Sequence, residues 1–322
     1  MQRLSHFVSK HLGLLILAVG VITYFSPIYW QAATWIPKLF LGFVIFFTGL
    51  SMDVSGFKRI RHKKKELFVT ILLKWGVTVA ISIGLAHLFF SDRPEIAAGI
   101  ILNGAVPSAT AATLYTFLSG GNTSLVIVAS LFDIGISPVI APLAMIGIET
   151  ENFAISIISL FQSFLIIVLI PLTAGFILQR IFPELPHQSV HITKLLSPIS
   201  LLVVIHTLTG SGKQYLSDEI SLLPAILVVA ILQTIIPMLI NYKIARFLFE
   251  FESDARAALF QTSASNSALA AILAFEFFGG LGAIEPIIYL IINLAISAQV
   301  ANYFSNKMKQ EVFLNGAMNK TS

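Results

Sequence analysis

Apolar residues form long runs along this chain, separated by short polar stretches. The runs fall at about 12–28, 38–53, 67–90, 96–118, 123–147, 153–178, 195–210, 220–244, 257–278 and 286–304. Most are roughly 17–25 residues long, the length an α-helix needs to cross a bilayer. The pattern therefore predicts an all-α polytopic membrane protein with ten transmembrane helices. Gly120, Gly121 and Asn122 predict a tight turn after the fourth run. In the second half, 179–194, 211–219, 245–256 and 279–285 read as loops, and the stretch after Asn306 as a polar, mobile tail.

Ten runs divide into five and five. An odd number per half turns the halves upside down relative to each other, which predicts an inverted repeat. The first repeat is 1–152, the second 153–306, and 307–322 is the tail. An offset of 159 places Gly120–Gly121 on Gly279–Gly280, Lys74 on Gln233 and Asp133 beside Asn293.

Composition supports the membrane class. Of 322 residues, 56% are hydrophobic and 11% charged, and the mean hydropathy is +0.87; a soluble domain carries about 25% charged residues. The absence of cysteine excludes disulfides, thiolate metal sites and Cys nucleophiles. The formal charge of +4 does not point to nucleic acid, because the basic residues sit mostly in loops. Their distribution gives orientation instead. Alternate loops, starting with the N-terminus, hold sixteen Lys and Arg, while the opposite set holds Lys38, Arg93 and Lys213. Both termini are thus expected to be cytoplasmic in a multi-pass plasma-membrane protein.

Two runs carry polar groups where lipid favours leucine. PSATAATLYT covers 107–116 and QTSASNSALA covers 261–270. Pro107 removes a backbone donor, and hydroxyls follow that can serve freed carbonyls. The helix is expected to unwind near 108–113 and restart with its positive end facing a cavity. A kinked helix packed through small residues would look similar on this stretch alone. The second stretch crowds Gln261, Thr262, Ser263, Ser265, Asn266 and Ser267 into seven residues, more than one interhelical contact requires. Lys74 and Asp133 read as the only full charges deep in the spans. Lys74 lies roughly 12 Å in at 1.5 Å per residue, at a depth comparable to Thr110 and Ser265. A mid-bilayer charge costs several kcal/mol unless paired or hydrated, so Lys74 should meet Asp133 or the broken helices. The simpler reading is an ion pair that only pins two helices. His87, His206 and Glu276 read as interfacial or packing residues. TGSGK at 209–213 lacks the first glycine and final hydroxyl of a phosphate loop.

PSATAATLYTFLSGGN (107–122), ISP (136–138) and SNSALAA (265–271) resemble the bile acid:sodium symporter family along essentially the whole chain. The resemblance implies ten spans in a five-plus-five inverted repeat, with discontinuous helices four and nine crossing. It places substrate-binding groups at Thr110, Ala111, Asn266, Ser267 and Asn293. It places ion-coupling positions at Lys74, Thr113, Ser130, Asp133, Gln261, Thr262 and Ser265. The sodium side departs from the family pattern. Its Ser-Asn pair becomes Ala112–Thr113, a serine becomes Val126, the carboxylate becomes Gln261, and its neighbouring glutamine becomes Ser265. A glutamine at one sodium site falls on Lys74, whose ammonium would supply the ion's charge permanently. Coupling would then be to protons or absent. The alternative is one weak sodium site kept at Thr113, Ser130 and Gln261.

The expected function is a secondary transporter of a small organic anion, with Na+ or H+ as coupling ion and no other cofactor. Bile acids, sulfated steroids, pantoate-like acids and keto acids are the substrates the resemblance suggests. The partners are that anion and the lipid bilayer. No motif encodes substrate identity or oligomeric state. An intramembrane aspartyl protease would need two membrane carboxylates where the spans read as holding one, and the short loops leave no room for a signalling domain. A channel is the remaining rival.

Overall fold

A computed structural model describes residues 12–28, 33–51, 59–146 and 157–318. The segments holding Arg3 and Lys10, the start of the basic loop, and the repeat boundary at 152 lie outside the described residues. Helix α1 is Leu12–Phe25 and α2 is Trp35–Leu50. Helix α3 covers Lys64–Phe90 and contains a π-helical turn at Leu73–Thr78. Helix α4 is Pro94–Ala105, α5 is Ala111–Leu118 and α6 is Thr123–Ala144. Helix α7 covers Ile157–Ile181, α8 is Leu185–Asp218 and α9 is Leu223–Leu248. Helix α10 is Glu252–Ser263, and α11 runs Ser267–Met318 with a bend at Gly279. Among the described residues the chain is all-helical, with one isolated antiparallel bridge between Ser108 and Ser265.

Two short helices sit at the centre. Every residue from Ile96 to Ala105 in α4 and from Asp254 to Ser263 in α10 is buried. A helix buried on all faces belongs in the core of a bundle. Helix α4 packs closely on α11, and a Cβ at Gly99 would lie 2.0 Å from the carbonyl oxygen of Gly282. Small residues permit such backbone approach between membrane helices. The outer surface is apolar, with Ile22, Phe68, Leu88, Ile158, Ile166 and Phe247 all exposed. Exposed apolar side chains on long apolar helices are what a lipid solvent favours.

Among the described residues, six helices are long and apolar enough to cross a membrane: Lys64–Phe90, Thr123–Ala144, Ile157–Ile181, Leu195–Tyr215, Ile220–Leu248 and Ser267–Met308. Several expected loops are helical instead. Helix α8 continues through 211–218, α9 runs to Leu248, and α10 begins at Glu252 rather than near 257. The stretch 279–285, read as a loop between two spans, is a reversal at the single residue Gly279 (φ 72, ψ −168), after which helix resumes at once; a Cβ at Gly282 would lie 3.2 Å from the Ala274 carbonyl, so the two limbs fold back on each other. The tail after Asn306 continues as helix to Met318. Hydropathy locates the apolar part of a helix but not its polar extensions, which keep the same backbone hydrogen bonds.

Candidate functional site

Both polar stretches are breaks, and the breaks meet. Helix α4 ends at Ala105, and Val106 is extended (φ −89, ψ 160). Pro107 follows, and α5 restarts at Ala111. Helix α10 ends at Ser263, Ala264 leaves helical geometry (φ −92, ψ 83), and α11 restarts at Ser267. The unwound segments pair antiparallel. The Ala109 N–H donates to the Ala264 carbonyl at 2.7 Å, and the Asn266 N–H donates to the Pro107 carbonyl at 2.8 Å. Breaking two helices inside lipid frees backbone groups that water cannot reach, and this pairing satisfies part of them. Tyr289 Oη and Asn293 Nδ2 both donate to the freed Ser263 carbonyl, at 2.6 and 2.9 Å. Asn266 Oδ1 accepts from the Leu269 N–H at 3.3 Å and so caps the restarted helix.

A buried polar network surrounds the crossing. Lys74, fully buried in the π-helical turn of α3, donates from Nζ to Ser265 Oγ at 2.9 Å. Asp133 on α6 is also fully buried and accepts from Trp75 Nε1 at 2.8 Å, Ser108 Oγ at 2.9 Å and Gln261 Nε2 at 2.8 Å. Gln261 Nε2 also donates to Ser108 Oγ at 2.7 Å, and its Oε1 accepts from Ser130 Oγ at 3.2 Å. Among the described residues no ion pair joins Lys74 to Asp133, so the contact that forms is the one with the second break. A π turn shifts the register of one helical turn, and such turns are frequent at functional sites.

Of the expected ion-coupling residues, Lys74, Ser130, Asp133, Gln261 and Ser265 fall into this network. Thr262 does so only through its backbone, since its carbonyl accepts from Thr78 Oγ1 while its hydroxyl bonds back to the Ala258 carbonyl. Thr113 stands on the first turn of α5, half-buried, with no side-chain hydrogen bond to Ser130 or Gln261. A sodium ion here would therefore find Ser130 Oγ with Gln261 Oε1 and Ser108 Oγ each 3.2 Å from it, and would have to displace the hydrogen bonds between them. Of the expected substrate residues, Thr110 is exposed and Ala111 half-buried at the start of α5. Asn266 is half-buried, and Ser267 and Asn293 are buried. Asn293 faces the second break rather than open space.

Sequence reasoning missed Ser108, Trp75, Tyr289 and Glu285. Ser108 lay inside the recognised stretch and Trp75 beside Lys74, so both were within reach. Glu285 was hidden by the loop assigned to 279–285. It is fully buried, as Lys74 and Asp133 are.

Ionic contacts gather at the two ends of the bundle. At one end Lys63 pairs with the buried Asp254, Asn122 Nδ2 donates to Asp254 Oδ1 at 2.7 Å, and Arg256 Nη1 donates to the Ser119 carbonyl at 2.7 Å. Burial works against the Glu252 carboxylate there, but the Arg256 guanidinium at 2.8 Å, the Tyr242 hydroxyl and Lys307 together outweigh it and hold the carboxyl below its ordinary range. At the other end Lys38 pairs with Glu276, and Arg93 with Glu219 at 2.8 Å. Glu276 is thus a pairing residue, and His206 bonds Thr23 Oγ1 at 2.8 Å. The TGSGK stretch lies within α8, not in a phosphate-binding loop.

Comparison with known proteins agrees with this geometry. The profile of the Sodium Bile acid symporter family matches residues 38–219, more than half of the chain. The chain belongs to the sodium bile acid symporter family. It is 28% identical to the "Uncharacterized sodium-dependent transporter YocS" of Bacillus subtilis over 96% of this chain and 95% of that protein. It is 24% identical to the "Probable sodium/metabolite cotransporter BASS1, chloroplastic" of Arabidopsis thaliana, over 72% of this chain and 57% of that one. A third relative is the "Arsenical-resistance protein Acr3" of Corynebacterium glutamicum, 26% identical over 47% of this chain and 44% of that protein. The family is one of membrane transporters of small molecules, not enzymes.

Proposed function

We propose that this protein is a secondary transporter that moves a small organic anion across the plasma membrane, with both termini in the cytoplasm. The observation that carries this reading is the mutual pairing of two helix breaks, Ala109 to Ala264 and Asn266 to Pro107, beside the buried ammonium of Lys74. Two helices restart there, at Ala111 and Ser267, each with a positive N-terminal end. Together with Lys74 they favour a carboxylate or sulfate held near Thr110, Ala111, Asn266, Ser267 and Asn293. One bundle would rock against the crossing to expose the site alternately.

Several observations support the ten-span inverted repeat. Asn266 and Pro107, at the centre of the antiparallel pairing, stand 159 positions apart, the offset at which the two halves align. Gly120 (φ 68) and Gly279 (φ 72), the positive-φ glycines of the described residues, stand at that same offset. Helix α9 begins 159 residues after α3. In this reading α4 with α5 forms one broken span and α10 with the first limb of α11 the other.

In our reading the Lys74 ammonium takes the place of one sodium ion, and coupling is altered. A second reading keeps one sodium ion at Ser130 and Gln261, with or without Thr113. The adjacent oxygens of Ser130 and Gln261 favour it, as does a relative named as sodium-dependent. A thermal-shift screen of organic anions on the purified protein, followed by uptake of the best ligand into proteoliposomes, tests the whole. We expect a carboxylate or sulfate to stabilise the protein and to accumulate inside. Uptake that survives replacement of sodium by choline supports the Lys74 reading, and uptake abolished by it supports the second. Equilibration without accumulation under every ion gradient would make the protein a channel and end the proposal.

A further inference from the structure

Glu285 is fully buried, and neither of its carboxyl oxygens has a hydrogen-bond partner. It lies on α11, six residues past the Gly279 bend, in the limb that packs on α4. A bare carboxylate buried in this way costs several kcal/mol, and a chain retains it only if a positive charge neutralises it. No ion pair reaches it among the described residues. Helix α8 also packs on this limb; its Lys213 lines a cavity with Ile284, Ile287 and Ile288 but donates to the Ser26 carbonyl at 2.8 Å, and its His206 bonds Thr23 Oγ1. Helix α9 has no titratable side chain between 223 and 241. Helix α4 brings only Glu95, on its first turn. Helix α11 itself brings Glu276, already paired with Lys38, and Tyr289.

A second buried acceptor lies on the facing helix. Asn103 Oδ1 on α4 has no partner, while its Nδ2 donates to Gln233 Oε1 at 3.4 Å. The two helices advance in the same direction through their contact. A Cβ at Gly282 would meet the Glu95 carbonyl, and one at Gly99 would meet both the Gly282 carbonyl and Pro286 Cδ. One turn beyond Gly99, Asn103 therefore lies at the level of 286–290, about one turn further along the same interface than Glu285. The unpartnered atoms on these two residues are all acceptors, so what they lack is a proton or a cation.

We propose that Glu285 is a buried site for one positive charge, a proton or a sodium ion, at the α4–α11 interface. This deepens the transport reading by adding a coupling position away from the Ser130–Gln261 pair. The site is mechanically linked to the crossing. Glu285, Tyr289 and Asn293 follow one another at i, i+4 and i+8 on one face of α11, and the latter two hold the Ser263 carbonyl of the break. Filling or emptying the site alters the electrostatics one helical turn from the hydroxyl that anchors the unwound segment.

The test compares thermal unfolding of the full-length wild type and Glu285→Gln in detergent. Each is measured in sodium chloride and in N-methylglucamine chloride of equal ionic strength, at acid and at alkaline pH. Glutamine keeps the shape and needs no counter-charge. We expect wild type to melt several degrees below Glu285→Gln at alkaline pH without sodium. Closure of that gap by sodium identifies a sodium site, and closure by acid alone identifies a proton site. A gap that neither closes, or no gap under any condition, overturns the proposal. Should Glu285→Gln fail to fold, Glu285→Met, apolar and of similar length, repeats the comparison. No transported substrate enters these measurements. Failure of wild-type protein to accumulate any anion would end the transport reading and leave the melting result to stand or fall separately.

Discussion

Lys74 is fully buried in the protein interior, where its amine contacts Ser265 at the second break. The Asp133 carboxylate beside the first break is held by donors from Trp75, Ser108 and Gln261, so it does not depend on a direct Lys74 contact. If Lys74 only pinned helices together, a neutral residue that keeps its hydrogen bond would serve as well. If it stands in for an ion, removing its charge should leave the fold and damage transport. We expect Lys74→Gln to lower proteoliposome uptake about ten-fold or more while the protein still folds, a change of about 1.4 kcal/mol in transition-state stabilisation. Uptake should also become more dependent on sodium as the lost charge is replaced by an ion. Unchanged uptake with an unchanged sodium response would assign Lys74 to structure alone.

At the level of helices, the breaks and the bend differ in how visible they are in sequence. Pro107 announces the first break, because it lacks a donor and disturbs the preceding turn. The second break has neither Pro nor Gly and was legible only through the crowding of Gln261, Thr262, Ser263, Ser265, Asn266 and Ser267. That reading was sound because each of those groups is buried or half-buried beside unwound backbone. The pairing of the two breaks was not legible, since it depends on segments more than 150 residues apart. The connection expected at 279–285 is there, but it is one residue long: the chain reverses at Gly279 and helix resumes at once, and a glycine pair looks the same ahead of a long loop or a tight turn. The longer loop expected there concealed Glu285. The bend itself makes a prediction. Gly279 has φ 72 and open space where a Cβ would stand, so any cost of Gly279→Ala comes from backbone conformation. It should lower stability by about 1–3 kcal/mol. Gly84→Ala is the control, since Gly84 is also uncrowded but lies in regular helix, where alanine is favoured by about 0.5–1 kcal/mol. Equal melting shifts for the two variants would remove the bend's special role.

For the molecule as a whole, hydropathy gives the class, and the lopsided Lys and Arg loops predict an orientation that geometry alone does not supply. The structure sorts its ionic contacts into two ends, Lys63–Asp254 and Arg256–Glu252 at one, Lys38–Glu276 and Arg93–Glu219 at the other. The first end coincides with the loops rich in basic residues and the second with the loops poor in them. The positive-inside rule then predicts a cytoplasmic Lys63–Asp254 end. Helix α9 connects the two ends, with Asp218 exposed just before it and Glu250 exposed just after it. Because the chain has no cysteine, each position can be replaced singly without preparing a background. In intact cells a membrane-impermeant maleimide should label Asp218→Cys. Glu250→Cys should react only after the membrane is permeabilised. The reverse pattern would invert the molecule and, with it, the side on which each ionic end must open to admit the anion.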